Sequence, residues 1–332
     1  MKPLVSVLMP VYNGEKHLSD AVKSILWQTY HNFEFLIMDD GSTDNSVSIV
    51  ESYKDLRIKL HRSKSNSGIA KTLNRGIDLA QGKYIARMDC DDISHPDRLL
   101  RQVTFLEQYH DTGVLGSGIQ KLKGDRSGRK KHWPESDAAI KINLLFQNPV
   151  FHPTVILRKS ILNNTKYPET MRYSQDYGLW VMLATVTQFA NLPEALLQYR
   201  THPDQVTKTK AQQQADSARI AREYYLKTLF PDVTEKELIL HHRISERDRE
   251  INLIETAAWL EKIISLNDKA KAFPTEILQE IMARKWWNCC KNSTNNGAYI
   301  WRTYNQCSLS KIKTDEPKHT AKYVIKWLIN KH

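Results

Sequence analysis

In the first hundred residues, short runs of apolar and β-branched side chains alternate with segments whose apolar residues recur every three or four positions. Leu4–Met9, Phe33–Met38, Arg57–His61 and Lys83–Met88 read as strands. Leu4–Met9 is apolar almost throughout, as expected of a strand buried on both faces. Between them, Glu15–Trp27, Asp44–Tyr53 and Gly68–Ala80 read as helices, with Leu18, Val22, Ile25 and Leu26 on one stripe of the first. A further helix begins near Pro96 and runs to about Tyr109. Strands alternating with helices in this way mean βαβ units and a mostly parallel sheet, so the fold class is α/β.

Beyond Val114 the pattern is mixed. Val114–Ile119, Thr154–Leu157 and Leu196–Tyr199 are strand-like, and Asp137–Phe146 and Asp176–Thr185 are helical. From about Lys208 onward the pattern is almost wholly helical. Ser245 with Asp248 three residues on has the form of a capping box, and Pro274 and Asn292–Asn296 punctuate the region. The division expected is a domain over residues 1–205 and a helical region over 206–332, with no internal repeat. A composition of 41% hydrophobic and 26% charged residues excludes a disordered or fibrous chain. No stretch reaches the ~18 uninterrupted apolar residues of a membrane span. The opening Met1–Pro10 lacks a small-residue cleavage site and reads as a first strand. Cys90, Cys289, Cys290 and Cys307 show no zinc spacing, and an adjacent pair is poor disulfide geometry; a reducing cytoplasm is expected.

The net charge of +11 is concentrated at one end. From Arg284 to His332 ten Lys and Arg stand against two acids, Asp315 and Glu316. Trp286, Trp287, Trp301 and Trp327 lie in the same segment. Cations interleaved with aromatics suit an anionic bilayer or a nucleic acid, and equally a solvated helical face with its aromatics turned into a small core. Within it, Lys318–Lys331 places Ala321, Val324, Ile325 and Leu328 on one helical stripe, with Lys318, Lys322, Lys326 and Lys331 outward and Trp327 suited to a headgroup boundary.

Asp89-Cys90-Asp91-Asp92 follows the strand Lys83–Met88 directly. Ligands of open α/β sheets bind beyond the carboxyl ends of strands. Three acids crowded there repel one another unless a cation joins them, and hard divalent ions such as Mg²⁺ or Mn²⁺ take one or two carboxylates plus phosphate oxygens. A polar loop capping the next helix is the plain alternative. Asp39-Asp40 ends the strand Phe33–Met38 and runs into Gly41-Ser42-Thr43-Asp44, where Asp44 also suits a helix N-cap. Acids at two strand ends face one crevice, where a carboxylate can accept from a nucleobase or ribose. Pro10-Val11-Tyr12 brings an aromatic ring to the same edge. A dinucleotide-binding glycine fingerprint, a Walker loop and a nucleophile elbow are all missing.

As a set these residues resemble family 2 of the nucleotide-sugar glycosyltransferases. The likeness runs from Val5–Gly14 through Gln28-Thr29-Tyr30, Met38–Asp44 and Asn66-Ser67-Gly68 with Leu73-Asn74. It continues through Gly82–Ile85, Met88–Asp92, Pro96–Leu99, His152-Pro153-Thr154, Gln175-Asp176-Tyr177 and Tyr199–His202, so it spans residues 4–206. It implies a GT-A fold, a Rossmann-like nucleotide-sugar-binding sandwich, here with a helical C-terminal extension. By position, Pro10, Val11 and Tyr12 would line the base pocket and Asp40 would accept from the base, most often uracil. Asp89 would sit by the ribose and metal, Asp91 would bind the metal, and Asn66, Gly68 and Asn74 would border the nucleotide. Asp92 would support the loop. His202 falls where relatives place a metal or diphosphate ligand, with an ordinary surface or core histidine as the alternative. Arg200 would face the diphosphate and His152 would border the acceptor or simply make a turn.

The resemblance makes Asp176 the catalytic base. Independently, an acceptor hydroxyl is a weak nucleophile near neutral pH and needs a carboxylate to take its proton. The same acid would stabilise the N-terminus of its helix, and both roles can hold together. The family usually has Glu before this Asp; Gln175 stands here, which puts any contact of that carboxylate in doubt. The expected function is an inverting hexosyl transfer, with Mn²⁺ or Mg²⁺, from a UDP-sugar to a lipid-diphosphate-linked sugar. That would serve bacterial O-antigen or capsule synthesis, on the cytoplasmic side at the inner face of the inner membrane. No nucleic acid beyond the donor nucleotide is expected. The alternatives are a non-catalytic sugar-nucleotide or nucleic-acid binding protein, which has no need of a base beside a metal, and a nucleotidyltransferase.

Overall fold

A computed structural model of the chain describes residues 3–124, 126–202, 209–295 and 297–313. Two compact units divide it. One takes in the chain up to Ile140 together with Asn148–Ala221; the other takes in Lys141–Gln147 and the chain from Arg222 onward. The division falls inside a helix, Ala211–Leu229, beyond the compositional change near residue 205. The expected helix at Lys318–Lys331 lies outside the described residues.

The first unit is built on one sheet. Its strands are β1 Val5–Val11, β2 Phe33–Asp39, β3 Ile58–Arg62, β4 Tyr84–Arg87, β5 Ile93–Ser94, β6 Thr112–Lys123, β7 Arg126–Lys131, β8 Ile156–Arg158 and β9 Gln188–Arg200. They are ordered β3-β2-β1-β4-β8-β6-β9-β5, with β7 paired to β6 alone. β1 lies in parallel register with β2, Val5 opposite Phe33 and Val11 opposite Asp39, and with β4, Val5 opposite Tyr84. The chain thus moves from β1 to β2 and β3 on one side, then returns across β1 to β4. That reversal is the topological switch of an open α/β sheet. β8 runs antiparallel to both β4 and β6, so beyond β4 the sheet is mixed.

β1, β2 and β4 form where periodicity placed them because their side chains are buried on both faces: Val7 and Leu8, Phe35 and Leu36, and Tyr84 and Ile85 are all buried, whereas β3 at the sheet edge is half-buried. Helix α1, Glu15–Leu26, contributes Leu18, Ala21, Val22 and Ile25, an i, i+3, i+4, i+7 stripe. Helices α2 Ser46–Glu51, α3 Ile69–Leu79 and α4 Arg98–Gln108 complete the crossovers. Helix α5 spans Asp137–Leu144 and α6 spans Gln175–Leu183.

The second unit is helical. After α7, Ala211–Leu229, come α8 Glu235–Ser245, α9 Leu253–Ala270, α10 Thr275–Asn292 and α11 Gly297–Gln306. Leu260, Ile263, Leu278, Met282, Trp286 and Cys290 are buried in it. One expectation is corrected here. Ser245 does not open a helix; its Oγ donates to the His241 carbonyl at 2.8 Å and closes α8. The capping box is Thr234 with Glu237, and Asn252 caps α9 by accepting from the N–H of Ile254 and Glu255.

At the opposite edge from the strand carboxyl ends, buried Glu34 gathers the start of the sheet. It accepts from Ser6 Oγ at 2.5 Å, from the Gln81 N–H at 2.6 Å and from Lys59 Nζ at 2.6 Å. Gly82 completes this knot by donating its N–H to Ser6 Oγ. A methyl at Gly82 would stand 2.6 Å from Ser6 N and 2.8 Å from Val5 C, backbone atoms that cannot step aside. Gly82→Ala should therefore cost about 1–3 kcal/mol of overpacking, read as a lower urea midpoint with unchanged slope. An unshifted midpoint would show that β1 and β4 tolerate separation there.

Candidate active site

The carboxyl ends of β2, β1 and β4 lie side by side, so Asp39-Asp40, Tyr12 and Asp89–Asp92 leave adjacent strands at one edge. Pro10 and Val11 end β1, with Val11 buried and the Tyr12 ring 49% exposed. Asn13 takes a left-handed conformation, φ 50°, and its Oδ1 accepts from the Thr43 N–H at 2.8 Å. Asp44 accepts from the N–H of Glu15 and of Ser46, tying the same two loops.

Asp40 is buried and engaged. Its Oδ1 accepts from Ser67 N–H at 3.0 Å and Ser67 Oγ at 2.8 Å, and its Oδ2 accepts from Gly68 N–H at 2.9 Å. Three of a carboxylate's roughly four acceptor positions are thus filled by the loop before α3. Gly41, at φ 78°, lets that loop pass: a Cβ there would lie 2.7 Å from the Ser65 backbone. Asn66 is exposed on this loop. Asn74 spends its side chain elsewhere, donating to the Tyr167 carbonyl at 3.0 Å and accepting from the Tyr167 N–H at 2.9 Å.

After β4, ligand oxygens of Asp89, Asp91 and Asp92 all lie within 4.8 Å of one another. Asp89 is held by Arg87 Nη2 at 2.6 Å. Arg87 is only 2% exposed, and its Nε and Nη1 have no hydrogen-bond partner among the described residues. Asp91 Oδ2 lies 3.0 Å from His202 Nε2, so a histidine distant in sequence joins the cluster. Burial and then repulsion from Asp89 hold the Asp91 carboxyl above its ordinary range, against the pull of His202. Burial, then Asp91 and Asp89, push Asp92 well up. Asp92 Oδ1 accepts from the Arg200 N–H at 2.9 Å, which is the loop-supporting role expected of it, while Oδ2 is buried without a partner among the described residues.

Arg200 differs from its expectation. Its Nε donates to the Asp91 carbonyl at 2.9 Å and its Nη2 pairs with Asp20 at 3.1 Å, so it braces the acidic loop from β9 instead of standing open to a diphosphate. Desolvation and the adjacent carboxylates raise the Cys90 thiol far enough to keep it protonated. The residues fit a hard divalent cation: an oxygen-rich set, one imidazole, a buried carboxylate oxygen without a partner, and like charges that a cation would relieve.

Asp176 stands in the first turn of α6, whose N-cap is Ser174. Asn148 Nδ2 donates to its Oδ2 at 2.8 Å. The residue keeps some exposure, but its carboxyl is desolvated and pushed up to about 6, against the backbone N–H groups of the helix start, the Arg87 charge and Asn148. Tyr167 lies within electrostatic reach of this acid and of Asp89. Its hydroxyl is buried 2.8 Å from His152 Nε2, and both Asp176 and Asp89 act on it electrostatically. His152 itself is buried in a tight turn, His152–Thr154. Gln175 is buried, with Oε1 unpartnered among the described residues.

Arg87, Asn148 and Tyr167 were not singled out from sequence. Arg87 left a trace, a cation inside a buried strand, which demands a partner. Asn148 and Tyr167 left none, since their importance comes from distant residues.

The fold and site define an open α/β sandwich with a cluster of three carboxylates at its switch point. Residues 6–166 match the family model for Glycosyl transferase family 2. An uncharacterized glycosyltransferase of Haemophilus influenzae is 34% identical over 248 residues, 70% of this chain and 77% of that one. The putative glycosyltransferase EpsE of Bacillus subtilis is 36% identical over 212 residues, 61% of this chain and 74% of that one. Among solved structures, S. aureus TarS 1–349 in complex with UDP-GlcNAc superposes with TM-score 0.59 at 20% identity, covering 92% of each chain. A Pyrobaculum calidifontis mannosyltransferase in complex with GDP-Man and Mn²⁺ gives TM-score 0.50 at 18% identity, covering 100% of this chain and 89% of that one. The chain belongs to glycosyl transferase family 2. It is a glycosyltransferase with the GT-A sandwich and a helical C-terminal region.

Asp91→Asn should weaken Mn²⁺ binding, measured by calorimetry, by more than the ~10–100-fold typical of losing an outer-shell partner. Wild-type affinity should also fall as pH is lowered, because the raised carboxyls of Asp91 and Asp92 take up protons that a cation must displace. Unchanged binding in the variant would return the cluster to a purely structural loop.

Proposed function

We propose that this glycosyltransferase is metal-dependent and inverting. In this reading it moves a hexose from a UDP-sugar to a lipid-diphosphate-linked sugar during bacterial surface-polysaccharide synthesis of the O-antigen or capsule type. It works on the cytoplasmic side, peripheral to the inner face of the inner membrane; no described helix is long and apolar enough to cross one. Residues 1–205 carry the catalysis, and residues 206–332 form an accessory helical region.

One arrangement carries the reading. The carboxyl of Asp176, held by Asn148 Nδ2 at 2.8 Å in the first turn of α6 and pushed up to about 6, bears electrostatically on the buried Tyr167 hydroxyl, as Asp89 of the acidic cluster also does. A base tuned close to working pH accepts a proton in the transition state yet is largely ionised beforehand. The acceptor hydroxyl gives its proton to Asp176 while its oxygen bonds the anomeric carbon from the face opposite the departing diphosphate. Pro10, Val11 and Tyr12 receive the uracil, with the exposed Tyr12 ring against it. Asp40 uses its remaining acceptor position on the base or ribose, and Asn66 and Gly68 border the nucleotide. Asn74 acts from behind, through the Tyr167 backbone. Asp89, Asp91 and His202 would hold Mn²⁺ or Mg²⁺, which when bound would neutralise diphosphate charge. The UDP-GlcNAc named for TarS supports a UDP-sugar donor, whereas GDP-Man in the other neighbour is the alternative a donor panel tests.

Asp176→Asn should leave UDP affinity within a few-fold and cut turnover by ~10²–10⁴. Lost UDP affinity with surviving turnover would make Asp176 a folding or binding residue. In the wild type, turnover at saturating substrates should fall about tenfold per pH unit below about 6, as Asp176 takes up its proton. UDP release across a panel of UDP-sugars with a synthetic lipid-diphosphate acceptor measures both, and release from GDP-Man alone would overturn the donor assignment.

A further inference from the structure

The hairpin of β6 and β7 carries Lys121, Lys123, Arg126, Arg129, Lys130 and Lys131, six cations within eleven positions. Every residue of β7 is exposed, and none of the six cations makes an ion pair among the described residues. Their arrangement is costly in isolation. Lys123 stands directly opposite Arg126 across the ladder, and like charges so placed destabilise a strand pair. Lysine on an edge strand commonly protects it from aggregation, but that purpose does not require two cations face to face across the ladder.

The hairpin is anchored at the catalytic edge. Leu122 lies opposite Arg200 in the β6–β9 register, and the Thr201 N–H donates to the Leu122 carbonyl at 2.8 Å. Arg200 braces the acidic loop and His202 pairs with Asp91, so the basic arm grows from the strand end that supports the cation cluster. Between Lys121 and Lys131 there is no aromatic residue on which bases could stack, which disfavours a nucleic acid. Several outward cations without a shaped pocket match a diffuse anionic surface, where each Lys or Arg adds roughly 1 kcal/mol of attraction.

We propose that the β6–β7 hairpin is an electrostatic arm that docks this enzyme on a bilayer containing anionic phospholipid. The proposal rests on the lipid-linked acceptor reading and names the element that would bring the active-site edge to that acceptor.

The test is co-sedimentation of the full chain with vesicles of phosphatidylcholine alone or of equal parts phosphatidylcholine and phosphatidylglycerol. Binding should require phosphatidylglycerol and be released by high salt, since exposed charges are screened beyond a Debye length of ~3 Å at 1 M. The combined variant Lys123→Gln, Arg126→Gln, Arg129→Gln and Lys130→Gln should lose roughly 10²–10³-fold in vesicle affinity. Its UDP affinity and melting curve should match the wild type, which separates the arm from the donor site and from folding. Undiminished vesicle binding by this variant overturns the proposal. So does its loss instead in Lys318→Gln, Lys322→Gln, Lys326→Gln and Lys331→Gln, or hairpin-dependent binding to poly(U) RNA with none to vesicles. Hairpin-dependent vesicle binding in a chain that transfers only to soluble acceptors would retain the arm and remove the lipid-linked acceptor.

Discussion

Three carboxylates placed at the end of one strand are the constraint to which the rest of the first unit answers. Two unit charges ~4 Å apart repel by about 4 kcal/mol at an effective dielectric near 20, so Asp89, Asp91 and Asp92 cannot all stay ionised without help. Each is answered by a different element. Arg87 reaches forward from inside β4 to Asp89, His202 arrives from beyond β9 to Asp91, and the Arg200 backbone meets Asp92. Burial and its neighbours push the Asp92 carboxyl up, which favours its neutral form and eases the repulsion within the trio. β9 must therefore run long and finish beside β5, and this requirement explains why a strand interrupted by Pro193 persists over Gln188–Arg200.

The central position of β1 turns this cluster into a site. With β2 on one side and β4 on the other, two acidic loops flank a single aromatic residue, Tyr12. Asp40 spends most of its acceptor capacity organising the Ser67-Gly68 turn, so the wall of the crevice is built by a residue that would also touch the ligand. Tyr167 extends the arrangement towards Asp176. Asn74 fixes its backbone, His152 fixes its hydroxyl, and Asp176 and Asp89 both bear on that hydroxyl. Arg87 opposes the rise of both Asp176 and Tyr167 through its charge, so one buried guanidinium bears on the acidic cluster and on Asp176 together.

β1 to β4 and their helices were legible because each is a local periodic signal: Leu18, Val22 and Ile25 on a helix, or the unbroken apolar run of β1. β5 and β7 were not. Ile93-Ser94 is too short to show a period, and Arg126–Lys131 has no apolar face at all, its pairing coming only from β6. Most of β9 was hidden by Pro193 and Glu194, since a proline demotes a strand in any local reading. Ser245 shows the same limit at a helix end. Its spacing to Asp248 imitates a capping box, but the hydroxyl is satisfied by the preceding turn, and Thr234 with Glu237 does the capping. An isolated pair of acids is common; those of the site drew notice because they end two neighbouring strands and so face one crevice. Their partners did not: His202 and Asp91 are 111 residues apart, and only the sheet brings them together. The tryptophans of the C-terminal region illustrate the converse. Trp286 and Trp287 are core residues beside Tyr304, so composition alone overstated what was available to a membrane.

The residue before the proposed base, where the resemblance implies Glu, has a physical consequence for Asp176. Gln175 is buried, uncharged and adjacent to Asp176. A second carboxylate at that place would add like-charge repulsion to desolvation, and both act in the same direction on an acid. With an amide there, the rise of Asp176 comes from burial and is opposed by the helix N–H groups, Arg87 and Asn148. A carboxyl so placed can be ionised at neutral pH and still take a proton, as the proposed role of Asp176 requires. Gln175 also leaves a buried acceptor, Oε1, without a described partner one residue from the reacting carboxylate. A neutral acceptor there can receive a hydrogen bond without adding charge to a site that already carries three acids after β4.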